Sequence, residues 1–241
     1  MLARLLDFTP AEIAALLLSL KVAFWCTVAI CVPGIAVAWL LARKSFVGKS
    51  LLNSLVHLPL VLPPVVPGFL LLILLGNQGL VGKWLHEVFG ITLAFTWEGA
   101  VIASAVMAFP LMVRAVRLAI SQVDTGLEAA AQSLGASPLR VFFTVTLPLA
   151  VPGILTGLML AFSRSLGEFG ATITFVGNIA GETRTLPLAI FTYTQIPDGD
   201  APAMRLVILS LLLAFGALML SEMLERRAAR LLAGNAGHDR Y

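Results

Sequence analysis

Residues 127–148 read LEAAAQSLGASPLRVFFTVTLP, and this stretch decides how the rest of the chain is interpreted. Residues 128–134 are good helix formers, and Gly135 can adopt the left-handed conformation that commonly ends a helix. Ser137 and Pro138 then predict a second helix, with the serine as N-cap and the proline at the first helical position. Two short helices at an angle would project from one face of the protein and fit a recess in a partner. An ordinary loop that happens to contain a helix is the alternative.

The composition around this stretch indicates an all-α integral membrane protein. The chain has 241 residues, of which 59% are hydrophobic and 12% are charged, and its mean hydropathy is +0.96. Soluble domains contain about 25% charged residues. The lipid bilayer is therefore the expected surrounding. The basic pI of about 9.2 is explained by cations held on the cytoplasmic side rather than by binding to nucleic acid.

Five apolar stretches are long enough to cross a bilayer, for which about 20 residues are needed. They cover residues 14–41, 51–75, 100–120, 149–176 and 204–223. Prolines interrupt the second at residues 59, 63, 64 and 67, which excludes a straight helix and allows either a rigid kink or one wall of a transport pathway. The sequence therefore predicts five transmembrane helices in a single domain, 1–241, with a core at about 14–225, a coupling segment at 124–148 and a tail at 226–241.

The distribution of cations predicts the orientation of these spans. Five crossings place ten cations on one side: Arg43, Lys44, Lys49, Arg114, Arg117, Arg140, Arg226, Arg227, Arg230 and Arg240. The other side keeps Arg4, Lys21, Lys83, Arg184 and Arg205. Because cytoplasmic loops are enriched in lysine and arginine, the N-terminus is expected outside and the C-terminus and coupling segment in the cytoplasm.

Motifs for catalysis or for a bound cofactor do not emerge from the sequence. Gly48-Lys49-Ser50 resembles the end of a phosphate-binding loop, but the position for its first glycine holds Arg43 and a strand does not precede it. The two cysteines, Cys26 and Cys31, lie in an apolar stretch without neighbouring ligands. We therefore expect a subunit that is not an enzyme and holds neither metal nor cofactor, so that energy must come from a separate protein.

A second informative stretch, SRSLGEFGATITF at residues 163–175, places charges inside the fourth span. Ionisable residues at such a depth are expensive and suggest function. Arg164 and Glu168 are four residues apart, so an ion pair within one helix face would explain both. The other hypothesis is a pathway for an oxyanion, since arginine and hydroxyl donors suit such a ligand. The candidate pathway residues are Ser163, Arg164, Ser165, Glu168 and Thr172.

The first stretch also resembles the "EAA" loop of type-I ABC importer permeases. Six residues stand at the spacing of that motif: Ala130, Ala131, Gly135, Val145, Leu147 and Pro148. Glu128 does not, because Ala129 occupies the motif's usual glutamate position; the docking helix is unaffected, but a salt bridge from that position is not expected. The resemblance implies that the loop docks into a groove on a cytoplasmic ATPase. The residues expected to couple the two proteins are Glu128, Ala129, Ala130, Ala131, Leu134, Gly135, Ser137 and Pro138.

Longer blocks are similar to the permease subunits of bacterial molybdate ABC importers, over roughly residues 18–225. They include FPLMVRAVRLAI at 109–120 and RSLGEFGATITFVGNIAGETRTLPLAIFT at 164–192. This resemblance implies a MetI-like permease fold in a bacterial inner membrane, a homodimer and alternating access. It also implies two copies of a cytoplasmic ATPase, which would bind ATP and magnesium, and a periplasmic or surface molybdate-binding protein. Tungstate, sulfate or thiosulfate remain alternative cargoes, and a secondary transporter is the alternative class.

Overall fold

The computed structural model describes residues 8–236, and every regular element in this range is helical. The helices are α1 Pro10–Arg43, α2 Lys49–Val61, α3 Val65–Leu75, α4 Leu80–Phe89, α5 Trp97–Gln122, α6 Thr125–Ser133, α7 Pro138–Val141, α8 Leu147–Leu166, α9 Gly170–Val176, α10 Leu186–Tyr193 and α11 Asp200–Ala236. A π-helical turn, Phe142–Thr146, joins α7 to α8. The expected cations Arg4 and Arg240 lie outside the described residues.

Four uninterrupted helices are long and apolar enough to cross a membrane. They are Pro10–Arg43, Trp97–Gln122, Pro138–Leu166 and Asp200–Leu224. The first begins at a capping box in which the Thr9 hydroxyl accepts from the Glu12 amide and the Glu12 carboxylate accepts from the Thr9 amide at 2.7 Å. The second predicted span is the bent pair α2–α3, so the predicted five spans are present if this pair counts as one.

The bend between α2 and α3 is 112° and lies where the prolines cluster. Pro63 and Pro64 have no amide hydrogen to donate and cannot continue a helix. An 11-residue helix such as α3 is about 16 Å long, about half the thickness of the hydrocarbon core. It packs against α9 so tightly that a Cβ on Gly68 would lie 2.6 Å from the Ala171 carbonyl oxygen. The prolines therefore produce a sharp kink that places Gly68 of α3 against α9.

The boundaries of the fourth span differ from the sequence-based prediction of 149–176. The continuous helix runs from Pro138 to Leu166, beginning eleven residues earlier and ending ten residues earlier than predicted. It passes through the π-helical turn at its start, and Gly167 ends it. A separate helix, α9, then starts at Gly170, since the Glu168 carboxylate accepts from the Ala171 amide at 2.8 Å. The fourth span is therefore broken after Leu166 and is not one continuous helix to residue 176.

The core lies where α1, α5 and α8 meet, and small residues allow these helices to approach closely. Met112, Val116 and Ile120 of α5 are fully buried there together with Leu41 of α1. A Cβ on Gly34 would lie 2.8 Å from Met112 Cγ, so this glycine is what admits the methionine. Large apolar side chains on the outer face of α11 are exposed, as expected for a surface that meets lipid.

The polar, turn-rich segment from Asn178 to Pro202 contains the helix α10. The Leu186 amide at its start donates to the Ser19 hydroxyl of α1 at 2.6 Å. Within the segment, Nδ2 of Asn178 donates to the Thr192 hydroxyl at 2.8 Å. This segment is therefore fixed to the bundle. At the other end of the chain, α11 continues to Ala236, so the expected tail at 226–241 begins inside a helix, and residues 237–241 lie outside the described range.

Candidate functional site

The helix-glycine-helix pattern predicted at residues 128–138 is confirmed. α6 begins at the N-cap Asp124, whose carboxylate accepts from the Gly126 amide at 2.7 Å. Gly135 has φ +87°, the left-handed conformation that favours glycine, and its amide donates to the Gln132 carbonyl at 2.9 Å. Ser137 accepts from the Arg140 amide at 3.4 Å, and Pro138 opens α7 as predicted. We call residues 124–141 the coupling projection.

One face of α6 is turned outward and has an apolar component. None of the residues of α6 is buried, and Ala129 and Ala130 are exposed. Leu134, the residue before the glycine, is 90% exposed, and Leu139 of α7 is also exposed. Exposed apolar side chains on a short polar helix are characteristic of a surface that binds another protein. The geometry thus provides the projection that the sequence predicted.

The opposite face of α6 is anchored to the bundle by Glu128. Its carboxylate lies 3.0 Å from Nε of Arg43 at the end of α1, and it accepts from the Thr146 hydroxyl at 2.6 Å. The Arg43 guanidinium also donates to the Val123 carbonyl at 2.8 Å. Ala131, one turn further along α6, is half-buried on the same side. Glu128 therefore connects α6 to α1 and to the start of α8. This structural role is not evident from the sequence around Glu128.

The charged stretch at the end of α8 contains an ion pair, which is one of the two hypotheses that the sequence allowed for Arg164 and Glu168. Arg164 Nη1 lies 2.7 Å from Glu168 Oε2. The Glu168 side chain is almost fully buried, and its other oxygen accepts from the amide of α9 described above. A carboxylate at the start of a helix is further stabilised by the helix dipole. The arginine thus neutralises an acid that holds α9 in place.

The other candidate pathway residues are distributed between buried and half-buried positions. Ser165 and Thr172 are buried. Ser163 is half-buried and lines a cavity of about 370 Å³ together with Gly167 and residues of α10 and α11. The Ser165 hydroxyl has no hydrogen-bond partner among the residues that the structure describes. The structure brings these residues to one end of α8, and a role in transport stays a hypothesis.

A second cavity lies elsewhere, between α5 and α8 beside the coupling projection. Its volume is about 780 Å³, and α5 contributes Arg114 to its wall. Gln122 and Asp124 lie where it meets the coupling projection, and Thr156 lies on the α8 side. In the sequence, Arg114 stands out only as one of the cations that predict the orientation of the spans. We call this cavity the α5–α8 groove.

Comparison with known proteins gives consistent results. Residues 34–230 match the family of binding-protein-dependent transport system inner membrane components. The chain is 58% identical over 218 residues to the molybdenum transport system permease protein ModB of Escherichia coli K12, covering 90% of this chain and 95% of that protein. Identity to the protein of the same name from Haemophilus influenzae is 55% over 221 residues, covering 92% and 96%. The sulfate transport system permease protein CysT of E. coli K12 is 38% identical over 221 residues, covering 90% and 79%.

Solved structures share the fold at lower identity. A bacterial ABC transporter that imports the acidic polysaccharide alginate superposes with a TM-score of 0.73 at 19% identity, covering 91% of this chain and 80% of that one. An inward-facing MetNI methionine ABC transporter superposes with a TM-score of 0.69 at 17% identity, covering 92% and 99%. At this identity the likeness concerns the fold alone, and it confirms the predicted fold class.

Proposed function

The chain belongs to the family of binding-protein-dependent transport system inner membrane components, and we propose that it is the membrane-spanning subunit of an ATP-driven molybdate importer. The observation that carries the cargo assignment is the 58% identity to a molybdenum permease across nine-tenths of the chain. A subunit of this kind is a transport component of the inner membrane rather than a catalyst.

The coupling projection supports the second half of the proposal, that energy comes from a cytoplasmic ATPase. It presents exposed apolar residues on one side and is held by the Glu128 carboxylate on the other. A helix fixed in this way transmits the movement of a docked protein to α1 and α8, whereas a loosely attached loop would move without displacing them. The ATPase carries ATP and magnesium, and this chain provides the receiving surface at Ala129, Ala130 and Leu134, with Gly135 and Pro138 setting the angle between the helices.

In the assembled transporter, two copies of this chain face each other, and each binds one ATPase subunit. Closure of the ATPase pair on ATP moves both coupling projections, and the pathway between the two copies changes its accessibility from the cytoplasm to the outside. A periplasmic molybdate-binding protein delivers the anion to the outward-open state. The N-terminus lies outside and the C-terminus in the cytoplasm, as the distribution of cations predicts.

The experiment that tests this proposal is purification of the chain with its partners followed by reconstitution. We expect an ATPase and a periplasmic protein to copurify with the chain, and the periplasmic protein to retain molybdate. Vesicles containing the complex should take up molybdate only when ATP and the binding protein are supplied. Uptake driven by an ion gradient without ATP would contradict the proposal and favour a secondary transporter.

Sulfate is the second candidate cargo, because the chain is also 38% identical to a sulfate permease. Molybdate and sulfate are both tetrahedral dianions, and the binding protein selects between them. Competition of the two anions for uptake in the same vesicles, with each purified binding protein in turn, separates these cargoes. We expect molybdate uptake to persist in excess sulfate.

Substitution of Arg164 tests whether the charged stretch forms part of the pathway. The residues concerned are Ser163, Arg164, Ser165, Glu168 and Thr172. If Arg164 contacts the anion, Arg164→Ala lowers uptake in complexes that are as stable as wild type. If its role is only to neutralise Glu168, the same change lowers thermal stability, and uptake per intact complex is unchanged. The two roles thus predict different outcomes in the same pair of measurements.

A further inference from the structure

Five cations lie within the spans predicted from the sequence, and four of them have a partner in the described part of the chain. The pairs are Lys21 with the Trp97 ring at 3.4 Å, Arg117 with the Asn53 side-chain oxygen at 2.7 Å, Arg164 with Glu168 at 2.7 Å and Arg205 with Glu12 at 2.7 Å. The fifth, Arg114, makes neither a hydrogen bond nor an ion pair with any side chain or backbone group that the structure describes, and it is exposed. This difference singles out Arg114.

Arg114 lies inside the third predicted span, residues 100–120, where an unpaired charge is costly. It stands eight residues before the end of α5 at Gln122, which places it about 12 Å along the helix from that end. A charged side chain at such a depth faces protein, a counter-charge or a water-filled cavity. Arg114 faces the α5–α8 groove, which is open to water or to an anion.

The groove has the features of a path rather than of a closed site. It extends from the coupling projection, at Asp124 and Leu127, along α5 and α8 past Thr156. Two of its lining residues carry charge, Arg114 and Asp124, and the Asp124 carboxylate already accepts from the Gly126 amide at 2.7 Å. The remaining lining is mostly apolar. An anion that enters the groove past Asp124 therefore finds one positive charge, on Arg114, about two turns from the end of α5.

We propose that Arg114 binds the transported oxyanion transiently in the α5–α8 groove, on the cytoplasmic half of the translocation path. The inference rests on the proposed function. The guanidinium holds two oxygens of a tetrahedral dianion through parallel hydrogen bonds, a geometry that a lysine cannot reproduce. A site with a single cation attracts the anion and also releases it, which conduction requires. Arg164 cannot serve in this way as long as Glu168 neutralises it.

The first test measures uptake by the complete transporter in vesicles, with its ATPase and binding protein. Arg114→Gln should lower molybdate uptake per ATP hydrolysed by about ten- to a hundredfold, the range expected for losing a charge-assisted hydrogen bond. Arg114→Lys should restore part of the rate. Arg117→Gln is the matched control, one turn away on the same helix, and should stay within about twofold of wild type. Normal uptake per ATP by Arg114→Gln would overturn the proposal.

The second test asks whether water reaches this position, independently of transport rate. In a background carrying Cys26→Ala and Cys31→Ala, Arg114→Cys should react with a membrane-impermeant thiol reagent in the assembled transporter. Molybdate should slow that reaction. Failure to react would place the side chain against lipid, and reaction at a rate insensitive to molybdate would indicate a water-exposed residue that does not meet the anion. Either result would overturn the proposal. Because the labelling is measured on assembled transporter, the test applies equally to a variant that assembles in low yield.

Failure of this inference differs from failure of the proposed function. If wild-type vesicles transport sulfate but not molybdate, the cargo assignment is wrong, and both tests are repeated with sulfate. If wild-type vesicles show no ATP-dependent uptake of either anion, the proposed function is wrong and so is the role of Arg114. If wild type transports molybdate and Arg114→Gln does so equally well, only the role of Arg114 is wrong.

Discussion

Removing the Glu128 carboxylate should uncouple ATP hydrolysis from transport. In Glu128→Ala, the Arg43 guanidinium loses the carboxylate 3.0 Å from its Nε, and the buried Thr146 hydroxyl loses its acceptor at 2.6 Å. The guanidinium keeps its bond to the Val123 carbonyl at 2.8 Å. Hydrogen bonds to charged groups contribute about 1.5–3 kcal/mol each, and partial exposure of both side chains reduces this. We expect the attachment of α6 to weaken by about 2–3 kcal/mol in total.

This loss is large compared with what else holds α6, because the helix has no buried residue of its own. A change of 2–3 kcal/mol raises the detached fraction of α6 by roughly 30- to 140-fold. Hydrogen exchange of the amides at residues 125–133 should speed up by about that factor in the purified complex. In vesicles, ATP hydrolysis should continue while molybdate uptake per ATP falls.

Two further variants separate this mechanism from general damage. Glu222→Gln removes an ion pair with Arg226 at 2.7 Å, in which the arginine side chain is 68% exposed and the glutamate side chain 55% exposed. This change should alter neither hydrogen exchange nor uptake. Arg43→Ala combined with Glu128→Ala should cost less than the sum of the two single changes, since each single change already loses the pair. Unchanged exchange at residues 125–133 together with normal uptake per ATP in Glu128→Ala would refute the reasoning.

Three other changes have definite expected outcomes. Gly135→Pro is incompatible with φ +87° and removes the amide bond to Gln132, so transport should be lost while membrane insertion, measured by protease protection, is retained. Gly68→Ala places a Cβ 2.6 Å from a backbone oxygen of α9 and should destabilise the protein by about 1–3 kcal/mol, seen as a lower melting temperature in detergent. Glu168→Ala leaves Arg164 without its partner and the Ala171 amide without its acceptor. The free energy of unfolding should fall by about 3–5 kcal/mol, so the melting temperature should fall further than in Gly68→Ala.

The features that were predictable from sequence are those that depend on local chemistry. Prolines at 63 and 64 and glycines at 135 and 167 act on their own backbone, and the structure has a bend or a helix end at each of these places. The apolar length of each span also follows from composition, because the bilayer sets the required number of residues. The coupling projection was found on this basis alone.

Contacts between residues far apart in sequence were not predictable. Glu128 reaches Arg43, 85 positions away, and nothing in either local sequence identifies the partner. α10 is not evident from the sequence, because its eight residues are flanked by turn-rich segments and its start is fixed by Ser19 of α1. Arg114 has no partner among the described residues, and this is visible only in three dimensions, where the other four cations within the spans have partners. Tertiary hydrogen bonds thus determine which charges are structural and which remain available.

The most direct test of the central claim, that residues 124–141 dock on a cytoplasmic ATPase, is crosslinking at Leu134, which is 90% exposed. Leu134→Cys, in a background with Cys26→Ala and Cys31→Ala, is placed in the assembled transporter and treated with a short thiol-directed crosslinker. We expect a covalent product with the ATPase subunit, and thiol labelling in inside-out vesicles that the bound ATPase blocks. Labelling from the external side, or free labelling with the ATPase bound and no crosslink, would contradict the account.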